Sequence, residues 1–254
     1  MSDLSIFSLD DKRAMVTGAN TGIGQGIAVA LAAAGADILA VGRSSMDETA
    51  AAIAHGGGTM APIEADLGDP AGAAAMLDRA WDEHGPIDIL VNNAGIIRRG
   101  DAVDFAESDW DDVMDVNLKT VFMLSQALAR RAFAAERPAK IINIASMLSF
   151  QGGIRIVSYT AAKSGLAGLT RILANEWAGR GINVNAIAPG YIETNNTRVL
   201  REDAARSADI LKRIPAGHWG KPQDIGGTAV YLASAAADYV HGAIFPVDGG
   251  WLAR

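Results

Sequence analysis

A doubly wound α/β domain with about seven parallel strands and helices on both faces is the fold class that the order of segments predicts. Short unbroken apolar runs alternate with amphipathic stretches along all 254 residues. Such β-α alternation implies a parallel sheet buried between helices. The first apolar run also ends in a glycine-rich turn that opens an alanine-rich helix, the junction where sheets of this kind take a ligand. No linker-like stretch divides the chain, so residues 1–254 read as one domain.

Strands are expected at 13–17, 37–41, 59–64, 87–92, 140–144, 183–188 and 244–247, where short runs are dominated by β-branched and other apolar residues. Helices are expected near 23–34, 46–55, 70–84, 106–134, 158–180 and 222–235. Ser45 with Glu48 reads as a capping box, and Pro70 and Pro222 suit first helical turns. Residues 190–218 break the rhythm. They are long, polar and bounded by Pro189 and Pro215, which predicts a substrate lid.

Composition narrows the function. Half the residues are hydrophobic, yet no apolar run reaches the roughly 18 residues of a membrane span. The start, MSDLSIFSLDDKR, has neither the basic beginning nor the apolar core of a signal peptide, so the cytoplasm is the expected location. The absence of cysteine excludes disulfides and thiolate metal sites. His55, His84, His218 and His241 are scattered singly without ligand-like spacing, and no metal is expected. A net charge of −7 argues against nucleic acid or an anionic membrane as the main partner.

The glycine turn, Gly18-Ala19-Asn20-Thr21-Gly22-Ile23-Gly24, follows a strand and opens a helix. Gly18 permits the tight turn, while Gly22 and Gly24 let backbone amides approach a pyrophosphate at the helix N-terminus. The domain is thus read as Rossmann-type, with the turn cradling a ligand's phosphates or, alternatively, only packing the helix on the strand. Asn92-Asn93-Ala94-Gly95 ends another buried strand at its carboxyl edge. Asn117 lies in a helical stretch, where an inward-facing amide requires hydrogen bonds.

Tyr159 and Lys163, in the run SYTAAK, stand four residues apart with Ser146 thirteen residues upstream. On a helix this spacing sets phenol and ammonium on one face, roughly 6 Å apart. The lysine cation is expected to favour the phenolate and pull the tyrosine pKa, ordinarily about 10, towards the working range. Ser146 can hold a substrate oxygen while Tyr159 exchanges its proton.

Together, TGANTGIG (17–24), Asp66 in ADL, NNAG (92–95), Asn117 in VNLKT, Ser146 in NIASM, Tyr159 with Lys163, and PGYIET (189–194) resemble the short-chain dehydrogenase/reductase family over nearly the whole chain. The resemblance implies a nicotinamide-dependent oxidoreductase with Ser146, Tyr159 and Lys163 as catalytic residues. Asn117 would hold a water that links Lys163 to solvent. It implies that Gly18, Asn20, Thr21, Gly22, Ile23 and Gly24 cradle the cofactor phosphates, that Asp66 and Leu67 flank the adenine, and that Asn93, Ala94 and Gly95 line the ribose. Pro189, Gly190, Ile192 and Thr194 would sit beside the nicotinamide, and Lys163 would bond its ribose. A homotetramer is also implied, with the small residues Ala162, Gly165 and Gly168 permitting close packing.

The end of the second strand bears on cofactor choice. Gly42 stands where an acidic residue would select NAD(H), followed by Arg43 and Ser44, which can take a 2′-phosphate. Both NAD(H) and NADP(H) remain open.

Further stretches, NNAGIIRR, NIASMLSFQGGIR, RIPAGHWG and VDGGWLAR, are similar to a subgroup acting on six-carbon 3-deoxy or 2-deoxy sugar acids such as 2-dehydro-3-deoxy-D-gluconate, in the breakdown of pectin-derived uronates. Gluconate and β-ketoacyl carrier-protein substrates stand as alternatives, and a non-catalytic nicotinamide sensor as a third reading. A sugar acid needs a cation for its carboxylate, for which Arg99 or Arg155 is the expected residue. Gln151, Asn195 and Asn196 are expected to meet its hydroxyls, and Met147 and Tyr191 to form pocket walls. Trp251 is expected at a subunit interface.

Overall fold

The computed structural model describes residues 4–253; Met1–Asp3 and Arg254, the extremes of the expected 1–254 domain, lie outside the described residues. Seven strands form one parallel sheet: β1 (Arg13–Thr17), β2 (Asp37–Gly42), β3 (Met60–Glu64), β4 (Ile89–Asn92), β5 (Ala139–Ile144), β6 (Ile182–Pro189) and β7 (Ile244–Val247). Their order is β3-β2-β1-β4-β5-β6-β7. The chain reverses its direction of travel between β1 and β4, creating the crevice at which such sheets bind ligands.

The helices are α1 (Gly22–Ala33), α2 (Asp47–His55), α3 (Pro70–His84), α4 (Glu107–Met114), α5 (Thr120–Ala134), α6 (Val157–Trp177), α7 (Arg198–Glu202), α8 (Ala204–Arg213) and α9 (Pro222–Ala233). Alternate strand residues enter opposite cores, as the two-residue period of a strand requires. Val16, Ile38, Ala40 and Val91 pack with Ile27, Leu31 and Ile225 of α1 and α9. Met15, Leu39, Val41 and Leu90 pack with Leu77, Leu124 and Leu128 of α3 and α5.

Two local expectations are corrected. Met46, not Ser45, occupies the N-cap of α2; the Ser45 hydroxyl accepts the Asp47 backbone N–H at 3.1 Å instead of forming a box with Glu48. The continuous helix expected over 106–134 is interrupted by one π turn, Asp115–Lys119. Its wider backbone turn changes the helical register at fully buried Asn117. Residues 190–218 carry α7, α8 and a short turn at Asn195–Thr197. Apolar Ile210 and Ile214, rather than polarity along the segment, tie it to the domain.

The small residues of α6 are used mostly within the chain. Ala162 is fully buried, and a Cβ at Gly165 would lie 3.0 Å from Leu118, whereas Gly168 faces open space.

Candidate functional site

A cleft of about 950 Å³ opens at the carboxyl ends of β1, β4, β5 and β6. Its floor begins at the glycine turn. Gly18 and Gly22 hold φ of +65° and +59°, a left-handed backbone that favours glycine. Thr17, which sequence reasoning passed over, ties this loop to β4. Its hydroxyl donates to Val91 O and accepts the N–H groups of Asn93 and Ala94 at 2.9 and 3.0 Å. The Asn93 amide donates to the carbonyls of Thr17 and Gly18; it therefore fastens the glycine turn in addition to lining the cleft.

Gly18, Asn20, Thr21, Gly22, Ile23, Arg43, Asp66, Leu67, Asn93, Ala94 and Gly95 line one half of the cleft. Gly24 does not. It is a packing position, because a Cβ there would lie 2.2 Å from Gly18 O. Arg43 and Asp66 face each other at 3.5 Å with both side chains exposed, and Asn20 donates to the Ser44 hydroxyl at 2.7 Å.

The other half gathers Ser146, Tyr159, Lys163, Pro189, Gly190, Ile192 and Thr194. Ser146 caps the short turn after β5, its hydroxyl accepting Leu148 N–H. The first two turns of α6 present Tyr159 and Lys163 on one face, with Lys163 Nζ 5.6 Å from the centre of the Tyr159 ring. A buried polar chain seats this helix: Asn92 donates to Asn143, and Asn143 donates to Thr170 of α6. Asn117 lies behind the cleft. Its amide bonds the backbone of Ile96 in both directions, accepting from N–H and donating to O, both at 2.9 Å.

Burial governs the electrostatics. It pushes the Tyr159 phenol up, while the Ser146 hydrogen bond and then the Arg99 charge pull it down. The downward pull expected from Lys163 does not dominate, because Lys163 is itself buried and held down to about 8. Its ammonium donates to Ile144 O at 2.6 Å.

This burial makes a stability prediction. Between about pH 8 and 10.5 the unfolded chain retains the Lys163 proton that the folded chain has shed, so stability rises with pH across that window by on the order of 3 kcal/mol. Lys163→Met should remove this rise. Urea unfolding of parent and variant at about pH 7 and about pH 10 measures the difference, and parallel pH dependences would refute it.

Of the residues expected to meet substrate, Arg99, Met147, Gln151, Tyr191, Asn195 and Asn196 line the cleft. Arg155 is a correction. Its backbone is left-handed at φ +61°, and its exposed guanidinium pairs with Asp101 at 3.1 Å rather than lining the cleft. Arg99 donates to Asn196 O across the cleft mouth. Trp251 is buried within its own chain and donates to Gln151 at 3.2 Å, so it is a wall of this cleft. Arg206 and Arg213 of α8 also line it. Their spacing in a polar segment offered no signal, since only the folded position of α8 aims them inward. Among the described residues no three His, Asp or Glu side chains converge as a metal site.

A family model described as enoyl-(acyl carrier protein) reductase matches residues 18–252. The chain is 59% identical over 251 residues to 2-dehydro-3-deoxy-D-gluconate 5-dehydrogenase of Escherichia coli, covering 99% of both chains. The chain belongs to the short-chain dehydrogenase/reductase family. The Bacillus subtilis enzyme of the same name is 56% identical, with 98% of this chain and 97% of the relative covered. Among solved structures, an Agrobacterium tumefaciens protein provisionally called 2-deoxy-D-gluconate 3-dehydrogenase, with NADP bound, superposes with a TM-score of 0.94 at 62% identity, covering 98% of this chain and 99% of that one. No described helix is long and apolar enough to cross a membrane.

Proposed function

We propose that this chain is a nicotinamide-dependent dehydrogenase that interconverts a keto group and a secondary alcohol on a six-carbon deoxy sugar acid, with 2-dehydro-3-deoxy-D-gluconate the leading substrate. The observation that carries the reaction is the convergence of Ser146, Tyr159 and buried Lys163 in the same cleft as the glycine turn. The relatives at 56–59% identity carry the substrate class. A cytoplasmic homotetramer completes the proposal. Gly168 and half-exposed Ile172, one turn apart on α6, offer a flat outer face for it.

The residues fit a dinucleotide. Any side chain at Gly18 would meet Asn93 at 2.9 Å, and one at Gly22 would lie 3.3 Å from Thr194, so the loop leaves its backbone amides open to a diphosphate. A bound nicotinamide supplies or accepts the hydride at the reacting carbon. Ser146 holds the substrate oxygen by hydrogen bond. In reduction Tyr159 donates its phenolic proton to that oxygen; in oxidation the phenolate removes the hydroxyl proton. Lys163 would hold the ribose of a bound cofactor, and it supplies positive charge beside the phenol below about pH 8, while Arg99 adds a charge that favours the phenolate. Pro189, Gly190, Ile192 and Thr194 line the cleft beside these groups and would flank the nicotinamide of a bound cofactor.

Arg43 sets the phosphate preference. Its exposed pair with Asp66 is weak, so the guanidinium can turn to a 2′-phosphate beside Ser44 and Asn20. Reduced-nicotinamide absorbance with 2-dehydro-3-deoxy-D-gluconate, using NAD and NADP in turn, tests substrate and cofactor together. Turnover with the sugar acid is expected. Arg43→Ala should raise KM for NADP by about 10- to 100-fold and shift KM for NAD by much less. Equal changes for both cofactors would exclude a phosphate role for Arg43. Turnover of gluconate or a β-ketoacyl thioester alone would replace the substrate assignment, and cofactor binding with no turnover of any of these would favour a sensor.

A further inference from the structure

We propose that Arg213, presented by the last turn of α8 and stacked on Trp251, binds the carboxylate of the acidic substrate, with Arg206 as a second cation on the same helix face. This deepens the sugar-acid reading above and rests on it.

Sorting the arginines that line the cleft leaves these two. Arg43 faces Asp66 at the far end. Arg98 is held between Asp109 and Asp112 at 3.2 and 3.0 Å. Arg99 spends a donor on Asn196 O and bears on the Tyr159 phenol. Arg206 and Arg213 line the cleft, and among the described residues neither forms an ion pair with a carboxylate. In a chain of net charge −7, a pair of cations facing a cleft without acidic partners is poised for an anion. Seven residues apart, they stand two turns apart on one face, roughly 10 Å along the helix.

Arg213 is the better-oriented of the two. Its guanidinium lies 4.0 Å from the centre of the Trp251 ring. Contact with the ring engages the face of the guanidinium and spends none of its N–H donors, which a carboxylate can accept in bidentate fashion. The ring beneath it is itself immobilised. Trp251 donates to Gln151, and Tyr191 packs edge-on at 4.8 Å. The turn that carries it is closed by Asp248, which accepts the N–H groups of Gly250 and Leu252, both at 2.9 Å. Ile210 and Ile214 pin α8 to the same cluster. Burial pushes the Tyr191 phenol up, and the Arg206 and Arg213 charges pull it back down, so their positive field reaches a wall of the pocket.

The test compares 2-dehydro-3-deoxy-D-gluconate with its methyl ester, which keeps the single keto group and the hydroxyls and loses the charge. Arg213→Met preserves the apolar stem over Trp251 and removes the fork. It should raise KM for the acid about 10- to 100-fold, with a far smaller loss in kcat, and collapse the preference for acid over ester. Arg213→Lys, which keeps the charge without the planar fork, should recover part of that loss and carries the test should the methionine variant unfold. A parent that discriminates acid from ester, with both variants discriminating equally well, overturns the proposal alone. A parent that uses the ester as readily as the acid overturns the sugar-acid reading and the proposal with it.

Discussion

Tyr159→Phe is expected to lower kcat for the sugar acid by about a thousandfold or more while cofactor affinity stays within about threefold. The change removes one oxygen and nothing else from the cleft wall. The ring keeps its place above Lys163, and Ser146 keeps its bond to Leu148 N–H, so binding and chemistry separate cleanly. In the oxidising direction the parent rate should climb as pH rises through the Tyr159 ionisation, which burial raises and Ser146 and Arg99 oppose. That climb should vanish in the phenylalanine variant. Steady-state rates and a fluorescence titration with NADPH measure both parts. A variant within tenfold of the parent would sink the assignment of the phenol as proton carrier.

Gly24→Ala should be the most damaging single methyl in the molecule. The added Cβ would lie 2.2 Å from Gly18 O, 2.4 Å from the Asn93 amide nitrogen and 2.8 Å from Gly18 C. Two of the three are backbone atoms of the glycine turn, which cannot move without breaking the clamp that Asn93 and Thr17 form. A loss of about 1–3 kcal/mol in unfolding free energy is expected, together with at least tenfold weaker cofactor binding. Gly227→Ala in α9 is the matched control. Its Cβ would meet nothing within 4 Å, and relief of glycine's chain entropy should make it neutral or stabilising by up to about 1 kcal/mol. Urea midpoints and NADPH titrations check both, and equal stability of the two variants would refute the packing role of Gly24.

The contrast between these glycines shows where sequence reading stops. The turn could be read as a phosphate cradle from its position between strand and helix. Its internal division of labour could not: Gly18 and Gly22 serve the left-handed turn at the cleft, and Gly24 serves the close packing of the helix start on Gly18 and Asn93. Likewise the seven strands were legible because each is a short apolar run, and their ends differ from expectation by no more than two residues, as at β4. The π turn at Asn117 was not legible, since one widened turn leaves no mark on apolar periodicity and is set by the backbone of Ile96, 21 residues away in sequence.

The carboxylate-binding side was the least legible part. Arg155 stands four residues before Tyr159 and drew attention by that proximity, yet a left-handed backbone sends it to Asp101. Arg213 lies 54 residues after Tyr159 and reaches the cleft only because Ile210, Ile214 and Trp251 fold α8 across it. The sequence by itself determined the parallel sheet, the dinucleotide turn and the Ser146, Tyr159 and Lys163 set, because each is encoded by local spacing or by an apolar run. The tertiary structure alone decided which arginines line the cleft and how burial shifts the protons of Tyr159 and Lys163. Those depend on contacts between segments far apart in the chain and on exclusion of water, neither of which has a local signature.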